Sequence, residues 1–466
     1  MGEIRAGFLR YMTDRGHAVI DRAPLVLRDD PTTLFTGSGM QPLVPYLMGA
    51  DHPGGTQVAD VQPCLRSQDI DEVGDNRHTT FFEMLGNWSF GSYFKREQIE
   101  ALWGLLVDVV GLDPERLYVS VYSGDFELGI PRDDDSADIW AELFERAGIA
   151  TDRTVLDTEE RADSVGSQGA HICYYRDKNW WSRAGGPADM PVGEPGGPDT
   201  EVFYHFPQVP HDTAYGDHPH PNSDGGQYME IGNSVFMQFA KDVGGLRPLT
   251  RRNVDFGGGL ERIAAASIDS PDVYRVSTLW PIICGIETLS GTRYEAQTQT
   301  MRIIADHLRG AVFLIADGIV PAAKEHGYVL RRLLRRAIRF AHGLGLTDGV
   351  TAELAAIVID IYAAAYPDVA AQREHIMQVL GKEERSFRRT LGKGLRELRR
   401  LGKESRPITG ADFFTLYDRY GFPVELSSEE AVTRGLDISP DWRTDFDAHV
   451  REQRERSRSG SRLGVH

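Results

Sequence analysis

The spacing of apolar positions changes character near residue 299. Before it, short apolar runs at 118–122, 201–206 and 234–239 read as strands separated by turns. A helix is predicted over residues 3–15, where Ile4, Phe8, Leu9 and Met12 fall on one face. Strands mixed with helices, without a regular βαβ repeat, predict an α+β fold with an antiparallel sheet. From about 299 onward the period is that of helices, over 301–315, 328–344, 352–366 and 375–401, with Gly318, Pro321, Gly345 and Pro367 between them. The pattern therefore divides the chain into an α+β domain at 1–270 and an all-helical domain at 271–466. Residues 182–228, rich in Gly, Pro, Asp and His, are predicted to form one long polar loop. The charged tail, 451–462, is expected to fray.

Charge sharpens this division. The net charge is −18, yet residues 302–403 hold 18 Lys and Arg against 11 Asp and Glu, a net of +7, so the remainder carries −25. An acidic body joined to a locally basic helical segment is a footprint for a polyanion, or a set of solvated helix faces. The three cysteines, Cys64, Cys173 and Cys284, form no CxxC pair, so neither a disulfide framework nor structural zinc is expected. No apolar run reaches the roughly 18 residues of a membrane span, and the first ten residues lack a signal-peptide core. A cytoplasmic protein that does not enter membranes is the expectation. His205, His211, His218 and His220 match no zinc spacing, and a polar lid or surface loop is predicted there.

Three stretches carry candidate chemistry. In Asp255-Phe256-Gly257-Gly258-Gly259-Leu260-Glu261-Arg262, glycines allow close backbone approach, the helix that follows offers unpaired N–H groups, and Arg262 can fork onto a phosphate. No Gly-Lys-Ser/Thr follows, so this is not a Walker loop. Cys64-Leu65-Arg66, a loop through Asp75, and Arg77-His78-Thr79-Thr80-Phe81-Phe82-Glu83-Met84-Leu85-Gly86-Asn87 form an arginine-bearing hairpin able to grip a nucleotide; a hairpin whose aromatics pack the core is the alternative. In Met229 to Phe239, period two places Asn233, Val235 and Met237 on one strand face.

Together and in this order, these stretches resemble the alanyl-tRNA synthetase family of class II aminoacyl-tRNA synthetases. A first motif resembles Asp29-Asp30-Pro31-Thr32-Thr33-Leu34-Phe35-Thr36-Gly37-Ser38-Gly39-Met40, and Ile304-Ala305-Asp306-His307, Gly327 to Arg332 and Leu416 to Pro423 also match. The resemblance implies a class II antiparallel sheet flanked by helices, making 1–270 the adenylation domain and 271–466 a helical domain for tRNA recognition. It implies ATP-dependent activation of alanine and transfer of the alanyl group to tRNA-Ala. Arg66 would bind the α-phosphate and stabilise charge, Arg77 the outer phosphates and Arg262 the γ-phosphate, with Gly258 and Gly259 beside the nucleotide. Phe81 or Phe82 would stack on adenine, with Met84 at the base edge. Asp255 would pair with the ammonium of alanine, and Trp181, Asn233, Val235 and Gly257 would shape its pocket. Arg331, Arg335 and Asp418 would lie toward the acceptor. Mg²⁺ is implied with ATP, its ligands not assignable.

Departures from the family leave the acceptor open. The chain stops where the editing domain would begin, and with it the family's zinc site and dimerisation region, so no zinc and a monomer are expected. The family's Pro-Ser-Asn-Glu-Asn-Arg-Gly-Tyr is here Pro321-Ala322-Ala323-Lys324-Glu325-His326-Gly327-Tyr328, without either Asn that could read an acceptor stem. Glu-Ile-Trp-Asn has become Glu230-Ile231-Gly232-Asn233, and the family's cysteine-bearing loop has become Gly193 to Glu201 without cysteine. The alternative is a paralogue that transfers alanine to a small amine or nucleoside-like metabolite.

Overall fold

The computed structural model describes residues 1–27 and 33–462; Asp29, Asp30, Pro31 and Thr32 of the first motif lie outside the described residues. Ten strands form one sheet: β1 (Ala18–Val19), β2 (Gln57–Leu65), β3 (Phe81–Phe90), β4 (Leu117–Tyr122), β5 (Arg153–Asp157), β6 (Ile172–Tyr175), β7 (Trp180–Trp181), β8 (Pro195–His205), β9 (Tyr228–Asp242) and β10 (Gly245–Gly259). The order is β1-β2-β3-β10-β9-β8-β4-β6-β5, with β7 paired to β8. The centre, β2 to β4, is antiparallel as predicted. The edges differ. β1 runs parallel to β2, and β4, β6 and β5 run parallel to one another. The helices Asp134–Arg146 and Glu159–Val165 supply the crossovers that parallel pairing requires.

The predicted 182–228 loop is interrupted. Its Gly- and Pro-rich part, Pro195–His205, is a buried central strand. The reason is close packing: a Cβ on Gly197 would lie 2.0 Å from the Phe236 carbonyl oxygen, so glycine here permits strand contact rather than a turn. The strands read at 201–206 and 234–239 are likewise parts of longer ones, the first the end of β8 and the second the middle of β9, because Gly and polar residues lie within buried pairings.

The helices are α1 (Gly2–Asp14), α2 (Val44–Leu47), α3 (Lys95–Trp103), α4 (Asp134–Arg146), α5 (Glu159–Val165), α6 (Leu260–Ser267), α7 (Trp280–Ser290), α8 (Thr298–Ala316), α9 (Glu325–Gly343), α10 (Val350–Tyr362), α11 (Pro367–Ala371), α12 (Arg373–Leu401), α13 (Gly410–Tyr420), α14 (Val424–Thr433) and α15 (Trp442–Arg462). The charged tail is thus the end of a helix. One apolar core runs from α1 and the helix-facing side of β3 through α8 into α9, α10 and α12.

Helix α8 fastens the helices to the sheet through buried polar groups. The Asp306 carboxylate accepts from the Thr80 backbone N–H at 2.9 Å and from the Nδ1–H of His307 at 2.9 Å, and Arg336 of α9 donates to His307 Nε2 at 2.9 Å. Arg309, wholly buried, donates to Glu261 at 2.6 Å and to the Phe81 carbonyl. Glu261 in turn accepts from the Glu83 N–H at 3.1 Å. Three of the matching segments, around residues 80, 261 and 306, are therefore locked together by groups that would each cost free energy if left unpaired.

Candidate active site

Alternation along β3 decides which side chains reach the site. Phe81, Glu83, Leu85 and Asn87 face the helices, whereas Phe82, Met84, Gly86 and Trp88 face the opposite side. Register carries that second face across the sheet. Met84 lies opposite Gly259, Gly86 opposite Gly257 and Trp88 opposite Asp255. Gly257 and Asp255 are in turn opposite Asn233 and Val235 of β9, and these are opposite Glu201 and Asp199 of β8. Residues separated along the chain by up to about 170 positions thus form two adjacent rows.

At the Met84–Gly259 end is a cleft of about 630 Å³ lined by Arg66, Arg77, Phe82, Met84, Gly257, Gly259 and Arg262. The Arg66 guanidinium lies 4.9 Å from the Phe82 ring centroid, covering one face and leaving the other for stacking. Its Nε donates to the Gly37 carbonyl at 3.1 Å. Arg77 donates to the carbonyls of Gly226 and Tyr228 at 3.1 and 3.2 Å; burial, and then the nearby Arg262, lower its pKa. Arg262 donates to the Glu230 carbonyl at 3.2 Å and to its carboxylate at 3.5 Å. Three cations in one cleft, each held only by neutral carbonyls or a half-exposed carboxylate, suit a polyphosphate.

The row beyond the cleft is closed and polar. Asp255 is buried and accepts from Trp88 Nε1 at 2.7 Å; burial pushes its carboxyl up to about 7, against the pull of that bond. Asp199, also buried, accepts from Asn179 at 3.0 Å and from Asn233 at 3.4 Å, and burial raises its pKa too. Val235 packs with Trp88 and Met237, and Trp181 lies against this cluster. At two glycines the backbone makes close contact with side chains of the site. A Cβ on Gly86 would lie 2.1 Å from the Trp88 ring, and one on Gly257 would lie 2.9 Å from Met84 Sδ.

Phe81 requires a correction. It is fully buried on the helix face, its ring centroid 4.4 Å from that of Phe313, and reaches no part of the cleft; the strand period turns only Phe82 toward it. Gly258 also faces away, toward Phe256 and Ile263, and meets the cleft only through its backbone neighbours. Asn233, Val235, Asp255, Gly257 and Trp181 are brought together. Arg331, Arg335 and Asp418 gather in a second cleft between α9, α13 and α15, but Arg335 is paired with Glu383 at 2.7 Å.

Four residues at the site were not singled out from sequence. Asp69 and Glu230 line the arginine-bearing cleft, Asp199 lies in the row of Asp255 and Val235, and His78 is held by Asp75 at 2.6 Å, a bond that raises the imidazole pKa. Glu230 and Asn233, three apart, are both partly open because the β8–β9 register shifts between Val202 and Phe203. Strict alternation would have put them on opposite faces. The glycine at 232 sits in this irregularity, where a Cβ would already lie 3.0 Å from the Phe256 ring. Of the loop histidines, His220 is buried between Tyr175 at 2.9 Å and Asp163 at 3.0 Å, and His211 bonds the Gly216 carbonyl. Among the described residues no three His, Cys, Asp or Glu are grouped to hold a metal, and no helix is long and apolar enough to cross a membrane.

Comparison with known proteins places this geometry. Residues 3–464 match the family model "tRNA synthetases class II (A)". The chain is 41% identical to an alanine–tRNA ligase of Treponema pallidum (strain Nichols), over 98% of this chain and 72% of that one. It is 37% identical to an alanine–tRNA ligase of Halorhodospira halophila (strain DSM 244 / SL1), over 99% of this chain and 50% of that one. Among solved structures, an apo histidyl-tRNA synthetase of S. aureus aligns over 57% of this chain and 65% of that one, with 11% identity and a TM-score of 0.32. The chain belongs to the alanine–tRNA ligase family of class II tRNA synthetases.

Proposed function

We propose that the chain activates L-alanine with ATP and passes the alanyl group to tRNA-Ala. One observation carries this reading: the floor of an arginine-lined cleft continues along β10 to a buried carboxylate. From Asp255 to Gly257 is about 7 Å along the strand, and to Gly259 about 13 Å. Alanine with its ammonium at Asp255 therefore directs its carboxylate toward Arg66, and ATP in the cleft presents its α-phosphorus there. Val235 and Trp181 surround the methyl group.

An oxygen of the alanine carboxylate attacks the α-phosphorus, and the bond to pyrophosphate breaks, giving alanyl-adenylate. Arg66 offsets charge on the α-phosphate, while Arg77 and Arg262 hold the β- and γ-phosphates. Phe82 stacks on adenine with its free face. No side chain becomes a nucleophile; positioning and fixed positive charge supply the rate. A terminal ribose hydroxyl of tRNA then attacks the alanyl carbonyl, and AMP leaves. The carboxylates of Glu230 and Asp69, which line the cleft, would hold an Mg²⁺, and that ion would neutralise phosphate charge. Residues 1–270 would form the adenylation unit and 271–466 the acceptor-binding unit of a cytoplasmic enzyme.

The absence of Asn at 323 and 325 favours a second reading, transfer to a small amine or nucleoside-like acceptor. Alanine-dependent ATP–pyrophosphate exchange, followed by transfer of labelled alanine to tRNA-Ala transcript, tests both. Exchange with charging supports the first reading. Exchange without charging leaves the second, and no exchange removes both.

A further inference from the structure

The basic helical segment resolves into two different surfaces. On α9 four arginines are neutralised from within: Arg332 by Asp71, Arg335 by Glu383, Arg336 by Glu429, and Arg339 by Glu429 and Glu430, while Arg331 lies 5.8 Å from the Tyr328 ring centroid without an ion pair among the described residues. The four paired arginines hold the fold together and leave little charge for a ligand. Helix α12 is the opposite case. Lys382, Arg385, Arg389, Lys393 and Arg396 are all exposed, and none makes an ion pair among the described residues, where ion pairs are otherwise frequent. Their spacings of 3, 4, 4 and 3 keep them on one face of the helix, and Arg400 continues the same row. Arg400 alone in this row is paired, with Glu397 and Glu404. From Lys382 to Arg400 the row covers 18 helical steps, or about 27 Å.

We infer that this face of α12 is a docking surface for the phosphate backbone of an RNA duplex, a stem of the tRNA acceptor; the inference rests on the transfer reading above. A straight row of unpaired cations on a protein of net charge −18 is where a polyanion gains most by counterion release, and the acidic remainder opposes other orientations. The row carries no aromatic side chain, the feature by which single strands are held. An anionic membrane is the poorer occupant. The apolar face of α12, with Leu380, Phe387, Leu391 and Leu398, is buried in the core and has nothing to insert into lipid.

The test is a variant neutralising the row, Lys382→Gln, Arg385→Gln, Arg389→Gln, Lys393→Gln and Arg396→Gln together, all exposed and outside the adenylation site. Binding of the full chain to a tRNA-Ala transcript is measured by anisotropy across a KCl series, with pyrophosphate exchange in parallel. The expected result is at least a tenfold loss of RNA affinity at 0.1 M KCl and a shallower salt dependence, by about one logarithmic slope unit per lost contact. Exchange activity is unchanged, which shows that the variant is folded. RNA binding with wild-type affinity and slope in a variant that retains exchange overturns the inference and leaves the adenylation reading intact. Row-dependent binding to phosphatidylserine vesicles, without row-dependent binding to RNA, overturns it too. A single Arg389→Gln variant, expected to lose about one slope unit alone, serves if the fivefold variant does not fold.

Discussion

The indole N–H of Trp88 donates to Asp255 Oδ1 at 2.7 Å, and the two residues are direct cross-strand partners on β3 and β10. That bond fixes the carboxylate that faces the proposed ammonium. Burial pushes the Asp255 carboxyl up to about 7, well above the ordinary aspartate value. Ammonium binding requires the ionised form. The KM for alanine in pyrophosphate exchange should therefore fall as pH rises, about tenfold per unit below 7, and level off above it. Asp255→Asn should lower kcat/KM for alanine by about 100-fold or more and remove this limb of the profile, with ATP binding retained. A wild-type profile flat from pH 5.5 to 8 would count against the assignment. The stability sign is opposite. The unfolded chain loses this proton near pH 4 and the folded chain near 7, so Asp255 makes stability fall with rising pH across that window and has no further effect above it.

Phe81 and Phe82 are adjacent but answer to different forces. Phe81 is core, between Phe313 and Tyr362, so Phe81→Ala should cost about 3–5 kcal/mol in urea unfolding. Phe82→Ala should change stability little but raise the KM for ATP about tenfold, from a stacking contribution of roughly 1–2 kcal/mol. Equal effects of the two on the ATP KM would contradict the strand alternation.

The His307 ring bridges Asp306 and Arg336 with no exposure to solvent. Burial lowers its pKa, so it is neutral in the fold. His307→Ala should cost about 2–3 kcal/mol at pH 7.5, because it leaves buried groups unpaired. The native state resists protonation that the unfolded chain accepts below about 6.5, so this contribution is lost as pH falls through that value. The gap between wild type and variant, measured by urea unfolding, should narrow at pH 5.5. A gap independent of pH would show that His307 acts by packing alone.

Glu325 holds φ at 51°, the left-handed region, where Asn and Gly are at ease and Glu is not. The family pattern has Asn at this place. Glu325→Asn should raise stability by about 0.5–1 kcal/mol by chemical denaturation. On the transfer reading proposed above, in which this carboxylate faces RNA, it should also raise the rate of alanyl transfer to tRNA without changing pyrophosphate exchange. Faster exchange or slower transfer would place residue 325 elsewhere than at the acceptor.

Much was determined by the sequence alone. Its apolar periods separated a strand-rich half from a helical half, and the segments around Arg66, Asp255 and Arg262 pointed to nucleotide chemistry. Such features are local: a period needs only neighbours in the chain, and a motif carries its own spacing. Only the tertiary structure decided what depends on partners far along the chain. Register set Trp88, Asp255, Val235 and Asp199 in one row, although Asp199 looked like part of a loop. A register irregularity turned Glu230 to the same cleft as Arg262. The charge of 302–403 could be counted in sequence, but whether an arginine is available depends on which carboxylate folds against it. That separated Arg332, Arg335, Arg336 and Arg339 of α9, which are satisfied internally, from the α12 cations Lys382, Arg385, Arg389, Lys393 and Arg396, which are left to solvent.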